Sequence, residues 1–535
     1  MSEISKETKD SQPETSPSSG ASHYLTFPFA ISERPDGGLP AVIMNEARNS
    51  AGKKVVMFSA DKQNIDNFDG VKVIAADNPK FSDDLIKIWF GNGFWPLLHP
   101  KAHTSEAMTP EGLKAMYDKT AVDLLLEELD AGLFKGRELP SVGSQKFLVE
   151  YVDKYVPDIK ISGQFNNAFE KSVLSELDKA KLSNERICFN FQDYFFHSLV
   201  ESVAPQIRDA NGLATYHLHT TIPHIPNDVR VPNLIAAVAK AASKADVVLT
   251  HTEVYNERLR NILERLNLEH PEYRTFALGI DESDLAQREG RVTAGNYMET
   301  VPAFETLTAR QKNLVHAAFK AEAEGVPHQF GIYDRMDPIK GIDTVFQAID
   351  KFLEQERSDA TFESLKSKYR FFAVMSQFYD APKFNDKFDL RHGYAKYIFD
   401  LGSKLEAKWP GIFMMSEGFG GKYRDLIVSL MRDRTVITGG AEDGLNQVVM
   451  ESSFINRNNP TAVIAGENIG FVIEMARAGL RDNLYAFKPG NVSDLTNQIR
   501  QVALCQEKHP GHLVLQKTEL NRVIASRNAS MLIDS

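Results

Sequence analysis

The amino-acid sequence predicts an α/β protein built from two doubly wound domains facing a central cleft, and three observations carry that expectation. Short apolar, β-branched runs alternate with longer amphipathic stretches, the alternation occurs on both sides of a polar connection over 307–325, and one run is followed by a clearly periodic helix. Alternation of this kind implies parallel sheets, because a strand re-enters a sheet in the same direction only after a crossover long enough to hold a helix. At 535 residues the chain also exceeds what one hydrophobic core usually fills.

Taken in order, residues 1–22 are rich in Ser, Glu, Lys, Thr and Pro and contain no apolar stretch, which reads as a disordered tail without a signal peptide. Strand-like runs follow at 54–58, 186–190 and 245–250, assigned to an N-terminal domain over 23–310. Further runs at 329–332, 370–374 and 461–465 are assigned to a second domain over 311–500. After the 329–332 run, Ile342, Val345, Phe346, Ile349, Phe352 and Leu353 recur at helical spacing, so a strand, a loop and a helix succeed one another there. The pattern over 492–505 reads as a helix able to return across the domain junction, with 501–535 as a C-terminal helix or tail. Two such domains bring the C-terminal ends of both sheets to a shared cleft, where open α/β sheets bind ligands.

Composition narrows the function. With 61 Lys and Arg against 72 Asp and Glu, the net charge of -11 leaves no basic footprint for nucleic acid. Cys188 and Cys505 are the only cysteines, too few for a disulfide framework or a Cys-based zinc site, and a reducing compartment follows. No run of about 18 apolar residues occurs, so a soluble, cytoplasmic protein without a membrane span is expected. A homo-oligomer is left open.

Two loops carry the donor-side chemistry. The segment 331–343 holds Arg335 and Lys340 between a strand and a helix, where two cations and helix N-terminal N–H groups converge on an anion such as a diphosphate. The competing reading pairs Arg335 with Asp334 or Asp337 and leaves Lys340 solvated. The segment 439–451 begins with Gly439 and Gly440 and leads through Asp443 and Gly444 into a helix near Leu445, with Glu451 two turns along; exposed N–H groups there could hold phosphate or sugar oxygens, while Asp443 could instead be only an N-cap. In the first half, Gln192, Asp193 and Tyr194, then His217 and His219, then His251 each follow an apolar run and so gather at one sheet edge. Their spacing is not a zinc pattern, and no metal is expected.

These segments, collinear over roughly 25–500, resemble glycosyltransferase family 20, the trehalose-6-phosphate synthases. The stretch 334–342, Asp-Arg-Met-Asp-Pro-Ile-Lys-Gly-Ile, is similar to that family's Asp-Arg-Leu-Asp-Tyr-x-Lys-Gly-Ile, and 442–446 is similar to its Arg-Asp-Gly-Met-Asn. Gln192-Asp193-Tyr194 resembles its His-Asp-Tyr and Leu218-His219-Thr220 its Leu-His-x-Pro turn. Segment 93–99, which contains Trp95, resembles Leu-Trp-Pro-x-Phe-His, and Ser32-Glu33-Arg34 with Gly37 and Gly38 resembles the N-terminal Ser-Asn-Arg and Gly-Gly-Leu elements.

The resemblance implies a GT-B fold of two Rossmann-like domains and metal-independent hexosyl transfer with retention, without a cofactor, from a UDP-, GDP- or ADP-linked sugar. It implies that His219, Arg335, Lys340 and Asp443 are catalytic. Donor binding would fall to Gly37, Gly38, Arg335, Lys340, Gly444, Leu445, Asn446, Gln447 and Glu451, and acceptor binding to Arg34, Trp95, Asp193 and Tyr194. The expected hexose is glucose and the expected acceptor a phosphorylated sugar or polyol. On the acceptor side the chain departs from the pattern: no Tyr precedes the Trp95-Pro96 pair over 85–93, and Ser376-Gln377 stands where the family has Ser-Arg. The Asp-Pro-Ile-Lys wording of 337–340 resembles the pseudo-glycosyltransferases of validamycin-type pathways, which keeps a cyclitol donor or an unusual acceptor as an alternative. A third alternative is an inactive sugar-nucleotide-binding module.

Overall fold

The computed structural model describes residues 21–30, 54–61, 67–68, 71–75, 160–183, 186–276, 282–288, 290–301, 304–376, 390–419, 423–440, 442–455, 462–479 and 484–508. The first sheet comprises β1 (Ala21–Ala30), β2 (Lys54–Asp61), β3 (Asn67–Phe68), β4 (Val71–Ala75), β5 (Arg186–Gln192), β6 (Leu213–Leu218), β7 (Val247–Thr250) and β8 (Glu272–Thr275), in the order β3-β4-β2-β1-β5-β6-β7-β8. Every neighbouring pair is parallel except β3 with β4. The second sheet comprises β9 (His328–Asp334), β10 (Tyr369–Met375), β11 (Phe413–Ser416), β12 (Thr435–Thr438), β13 (Val463–Gly466) and β14 (Leu484–Phe487), all parallel in the order β11-β10-β9-β12-β13-β14. The chain is therefore an α/β protein of two doubly wound sheets. Strand β1 starts two residues inside the segment read as a tail; residues 1–20 lie outside the described residues.

Helices follow most strands: α1 (Lys160–Leu182), α2 (His197–Asp209), α3 (Asn233–Ala242), α4 (Glu253–Arg265), α5 (Glu282–Arg288), α6 (Tyr297–Thr300), α7 (Ala309–Ala323), α8 (Ile342–Arg357), α9 (Phe362–Lys368), α10 (Leu390–Lys408), α11 (Arg424–Met431), α12 (Gln447–Ile455), α13 (Gly470–Arg477) and α14 (Val492–Lys508). Helices cover the sheets, so β7 and β12 are buried along their whole length and read as unbroken apolar or β-branched runs rather than alternating ones. Helix α8 buries Ile342, Val345, Phe346, Ile349, Phe352 and Leu353 completely, each worth about 1.5–3 kcal/mol against exposure. Trp409 joins the same core, fully buried, with its indole N–H donated to Asp350 at 2.7 Å.

One expectation about the layout changes. Leu285, Val292, Val301, Phe304 and Leu307 share a core with α11 and α12 and with Leu25, Met57, Val71 and Val73 of the first sheet. Ser429 donates to the Val292 carbonyl at 2.5 Å, and Arg288 and Arg291 both pair with Asp425. Helix α14 does not return to the first domain: Leu495, Ile499 and Val502 are buried in the second-domain core, and Thr496 and Arg500 bond to Ala348 and Gln355 of α8. Its apolar stripe matches α8 and β14, which holds it at home; residues 509–535 lie outside the described residues.

The order of the second sheet reverses between β9 and β12, and that of the first between β1 and β5. At such a reversal the connections leave toward opposite faces and open a crevice beyond the strand C-termini. The loops at 335–341, 439–446 and 193–196 all start there.

Candidate active site at the facing sheet edges

Strand β9 ends on Asp334, whose carboxylate accepts the Thr438 hydroxyl of β12 at 2.9 Å, tying together the two strands that flank the reversal. A 3-10 turn over Pro338–Lys340 then carries Lys340 back over the same strand ends. Its ammonium lies 3.4 Å from Asp334 and in direct contact with Asp443 of the facing loop. Burial alone would lower its pKa, but the Asp334 and Asp443 carboxylates outweigh it and hold Lys340 above the usual lysine range. Burial moves Asp334 the other way, raising its pKa against the pull of Lys340. Arg335 is more exposed, at 38%, with its guanidinium 3.9 Å from Asp337. Lys340 is thus not solvated, and Asp443 serves it rather than capping a helix. Asn446 does the capping: its side chain accepts from the Val449 N–H at 3.3 Å.

Glycines let these loops touch. Gly341 adopts φ 53°, and a Cβ on it would lie 2.4 Å from the Gly439 carbonyl oxygen, so the two loops approach backbone to backbone. One turn further, a Cβ on Gly470 would fall 1.7 Å from the Gly444 carbonyl oxygen, which fixes the start of α13 directly beneath the 443–446 turn.

On the first-domain side, β5 and β6 run in register with Gln192 beside His217. His219 donates its Nε2–H to the Gln192 side-chain carbonyl at 2.5 Å, and its Nδ1 is buried without a hydrogen-bond partner. Burial, then the neighbouring His251 and His217, hold His219 well below the ordinary histidine pKa, so its imidazole is neutral near pH 7. Burial likewise pushes His217 down to about 3. Asp193 takes φ 66°, ψ 167°, a backbone region costly for a residue with a side chain, and turns its carboxylate onto the Tyr194 N–H at 3.0 Å. Burial raises its pKa to about 7 although the backbone N–H groups of Tyr194 and His219 oppose the shift.

The two sides meet. His251 donates Nε2–H to the His219 carbonyl at 3.0 Å, and Gly444 sits against that carbonyl and the His251 ring. The Tyr255 hydroxyl of α4 donates to the Asp443 carbonyl at 3.1 Å, and Arg258, one turn on, lies 3.8 Å from Glu442. His219, Lys340, Asp443, Gly444 and Asn446 therefore share one region, with Arg335 at its exposed rim.

Leu445 is 3% exposed and packs in the core, and Gln447 opens α12. Glu451, buried, accepts from Arg424 of α11, so a hydroxyl reaching it would compete with that arginine. Tyr194 is 1% exposed and stacks on Phe195 within the first core. Arg34, Gly37, Gly38, Trp95 and Gln377 lie outside the described residues. Asp334, Thr438, Arg424, Tyr255 and Arg258 were not singled out as site residues; only Asp334, inside the 334–342 motif, carried a signal, the others being linked through contacts distant in sequence. Among the described residues, no three His, Cys, Asp or Glu side chains gather as metal ligands, and no helix is long and apolar enough to cross a membrane.

No protein-family model matches the chain, and no curated protein matches it in sequence. Solved structures do match. An E. coli structure described as "Trehalose-6-phosphate from E. coli bound with UDP-2-fluoro glucose" superposes with a TM-score of 0.63 at 13% identity, covering 95% of this chain and 96% of that one. An alpha,alpha-trehalose-phosphate synthase (UDP-forming) from Burkholderia xenovorans, in complex with glucose-6-phosphate, gives 0.61 at 10% identity over 96% and 98% of the two chains. The N-terminal domain of a Candida albicans trehalose-6-phosphate phosphatase gives 0.60 at 12% identity over 95% and 94%. At these identities the likeness is one of fold, and the fold is GT-B.

Proposed function

We propose that the protein is a retaining hexosyltransferase that moves glucose from a nucleotide sugar to a phosphorylated sugar or polyol, in the manner of a trehalose-6-phosphate synthase. The observation that carries this reading is the placement of Lys340: buried at the reversal of the second sheet, bridged to Asp334 and Asp443, and across a glycine turn from the carbonyl of His219. A sugar–diphosphate bond breaks when the growing charge on the departing oxygens meets preorganised cations. Lys340 and Arg335 supply those cations, and the N-terminus of α8 adds N–H dipoles. When a phosphate oxygen replaces Asp443 on Lys340, the freed carboxylate accepts from sugar hydroxyls, so one exchange of partners both seats the diphosphate and orients the sugar. The acceptor oxygen then attacks on the face that the diphosphate leaves, with the leaving oxygens taking its proton. No protein nucleophile, metal or cofactor enters this scheme.

The likeness to structures holding UDP-2-fluoro glucose and glucose-6-phosphate supports trying those ligands first. Calorimetry is expected to show UDP, GDP or ADP binding to the wild type and none to Lys340→Ala or Arg335→Ala; binding indifferent to both substitutions would remove the site from consideration. Mass spectrometry of products from UDP-, GDP- and ADP-glucose with glucose 6-phosphate and glycerol 3-phosphate identifies the acceptor. Turnover of none of these, with nucleotide binding intact, would instead direct the reading to a cyclitol donor or a binding module.

A further inference from the structure

We infer that Tyr255, supported by Arg258, is a positioning residue by which the first domain holds the donor turn of the second, so that the Asp443–Lys340 contact depends on the two domains being together. The inference rests on the glycosyltransferase reading for its ligand but on geometry for its substance. The Asp443 carbonyl accepts two hydrogen bonds, one from each domain: the Gly470 N–H at 3.0 Å and the Tyr255 hydroxyl at 3.1 Å. With both acceptor directions occupied, the peptide plane is pinned, and the Asp443 side chain leaves it toward Lys340.

The contact belongs to one face of α4. Thr252, Tyr255 and Arg258 stand one helical turn apart, which places them in a row. Thr252 caps the helix by accepting from the Tyr255 N–H at 3.1 Å and packs beside Gly470; Tyr255 reaches Asp443; Arg258 reaches Glu442. Arg258 is itself anchored to its own domain through the Ile222 carbonyl at 2.9 Å. Glu442 is 1% exposed, so the cation facing it offsets the burial of a carboxylate. Tyr255 is also 1% exposed, and a buried phenol that ends on a carbonyl of the opposite domain adds nothing to its own core that Phe would not add.

Tyr255→Phe removes the hydroxyl and keeps the ring. In hydrogen–deuterium exchange on the full chain, peptides spanning 442–446 are expected to exchange faster in this variant while the cores of both domains are unchanged. UDP affinity, by calorimetry, is expected to fall roughly five- to tenfold, the effect of one neutral hydrogen bond. Arg258→Lys, which keeps the charge and loses the fork, is expected to loosen the same peptides to a smaller degree. Unchanged exchange over 442–446 in Tyr255→Phe would overturn the inference, and so would a uniform rise along the whole chain, which marks a merely structural role. A wild type that binds no nucleoside diphosphate would overturn the donor-site reading instead, and the exchange measurement would still decide the role of Tyr255.

Discussion

Asp193 sits at a strand end with a backbone conformation that disfavours it and a carboxyl that burial holds at about 7. An acid whose folded pKa is raised above its unfolded value binds more protons folded than unfolded, so stability falls as pH rises from near 3.8 to about 7 and stays lower above that. The full shift is worth up to about 4 kcal/mol. Asp193→Asn keeps an oxygen for the Tyr194 N–H and never ionises. Urea denaturation is therefore expected to find this variant more stable than wild type at pH 8, with the gap closing as pH approaches 4. A gap that stays constant with pH would mean the carboxyl titrates normally. His217, held neutral by burial, has the opposite sign: its folded pKa of about 3 means stability is lost as pH drops below 6.5. The two residues oppose one another across the acid range within one sheet edge.

At the scale of elements, the start of α13 and the 443–446 turn are fitted by Gly470 and Gly444 with no space for a methyl group. Gly470→Ala has to separate them, at about 1–3 kcal/mol for overpacking against backbone. Because that movement also shifts Asp443 from Lys340, UDP affinity is expected to fall along with the melting temperature, although residue 470 carries no polar side chain. Calorimetry and thermal melts on this single variant test both. The sequence made some elements plain and concealed others. The runs at 54–58, 186–190, 245–250, 329–332, 370–374 and 461–465 fall on β2, β5, β7, β9, β10 and β13 because fully buried parallel strands are continuous apolar stretches. Strand β6 shows in the sequence only as the apolar run ahead of His219, since Thr215 and His217 interrupt it. Both are wholly buried, joined by a chain in which Asn190 accepts from Thr215 and Thr215 from His217 Nε2–H. The pairing of Lys340 with Asp443 spans 103 positions and that of Tyr255 with Asp443 spans 188, distances at which no local pattern reports a contact.

Over the whole molecule, the 442–446 turn is shared property. Its backbone is fixed by α13 in one domain and α4 in the other, and Leu285, Val292, Val301, Phe304 and Leu307 of the linking segment are buried in a core that takes residues from both sheets. A ligand seated on Lys340 therefore stabilises contacts that belong to both domains. UDP at about 100 times its dissociation constant is expected to add roughly 2.7 kcal/mol to the folded state. With the domains coupled, that increment raises the melting of strands from both sheets; exchange protection gained only in the second sheet would show that the domains respond separately.

Trp409 gives that comparison an optical channel. The chain has three tryptophans, and the other two, Trp89 and Trp95, precede the second domain. Sealed in the second core with its indole N–H on Asp350 and with Lys408 and Arg357 beside its ring, Trp409 is shielded from solvent and its emission reports on that core alone. In a chain carrying Trp89→Phe and Trp95→Phe, fluorescence follows the second domain by itself, so its melting is read apart from that of the rest of the chain as temperature or denaturant is raised.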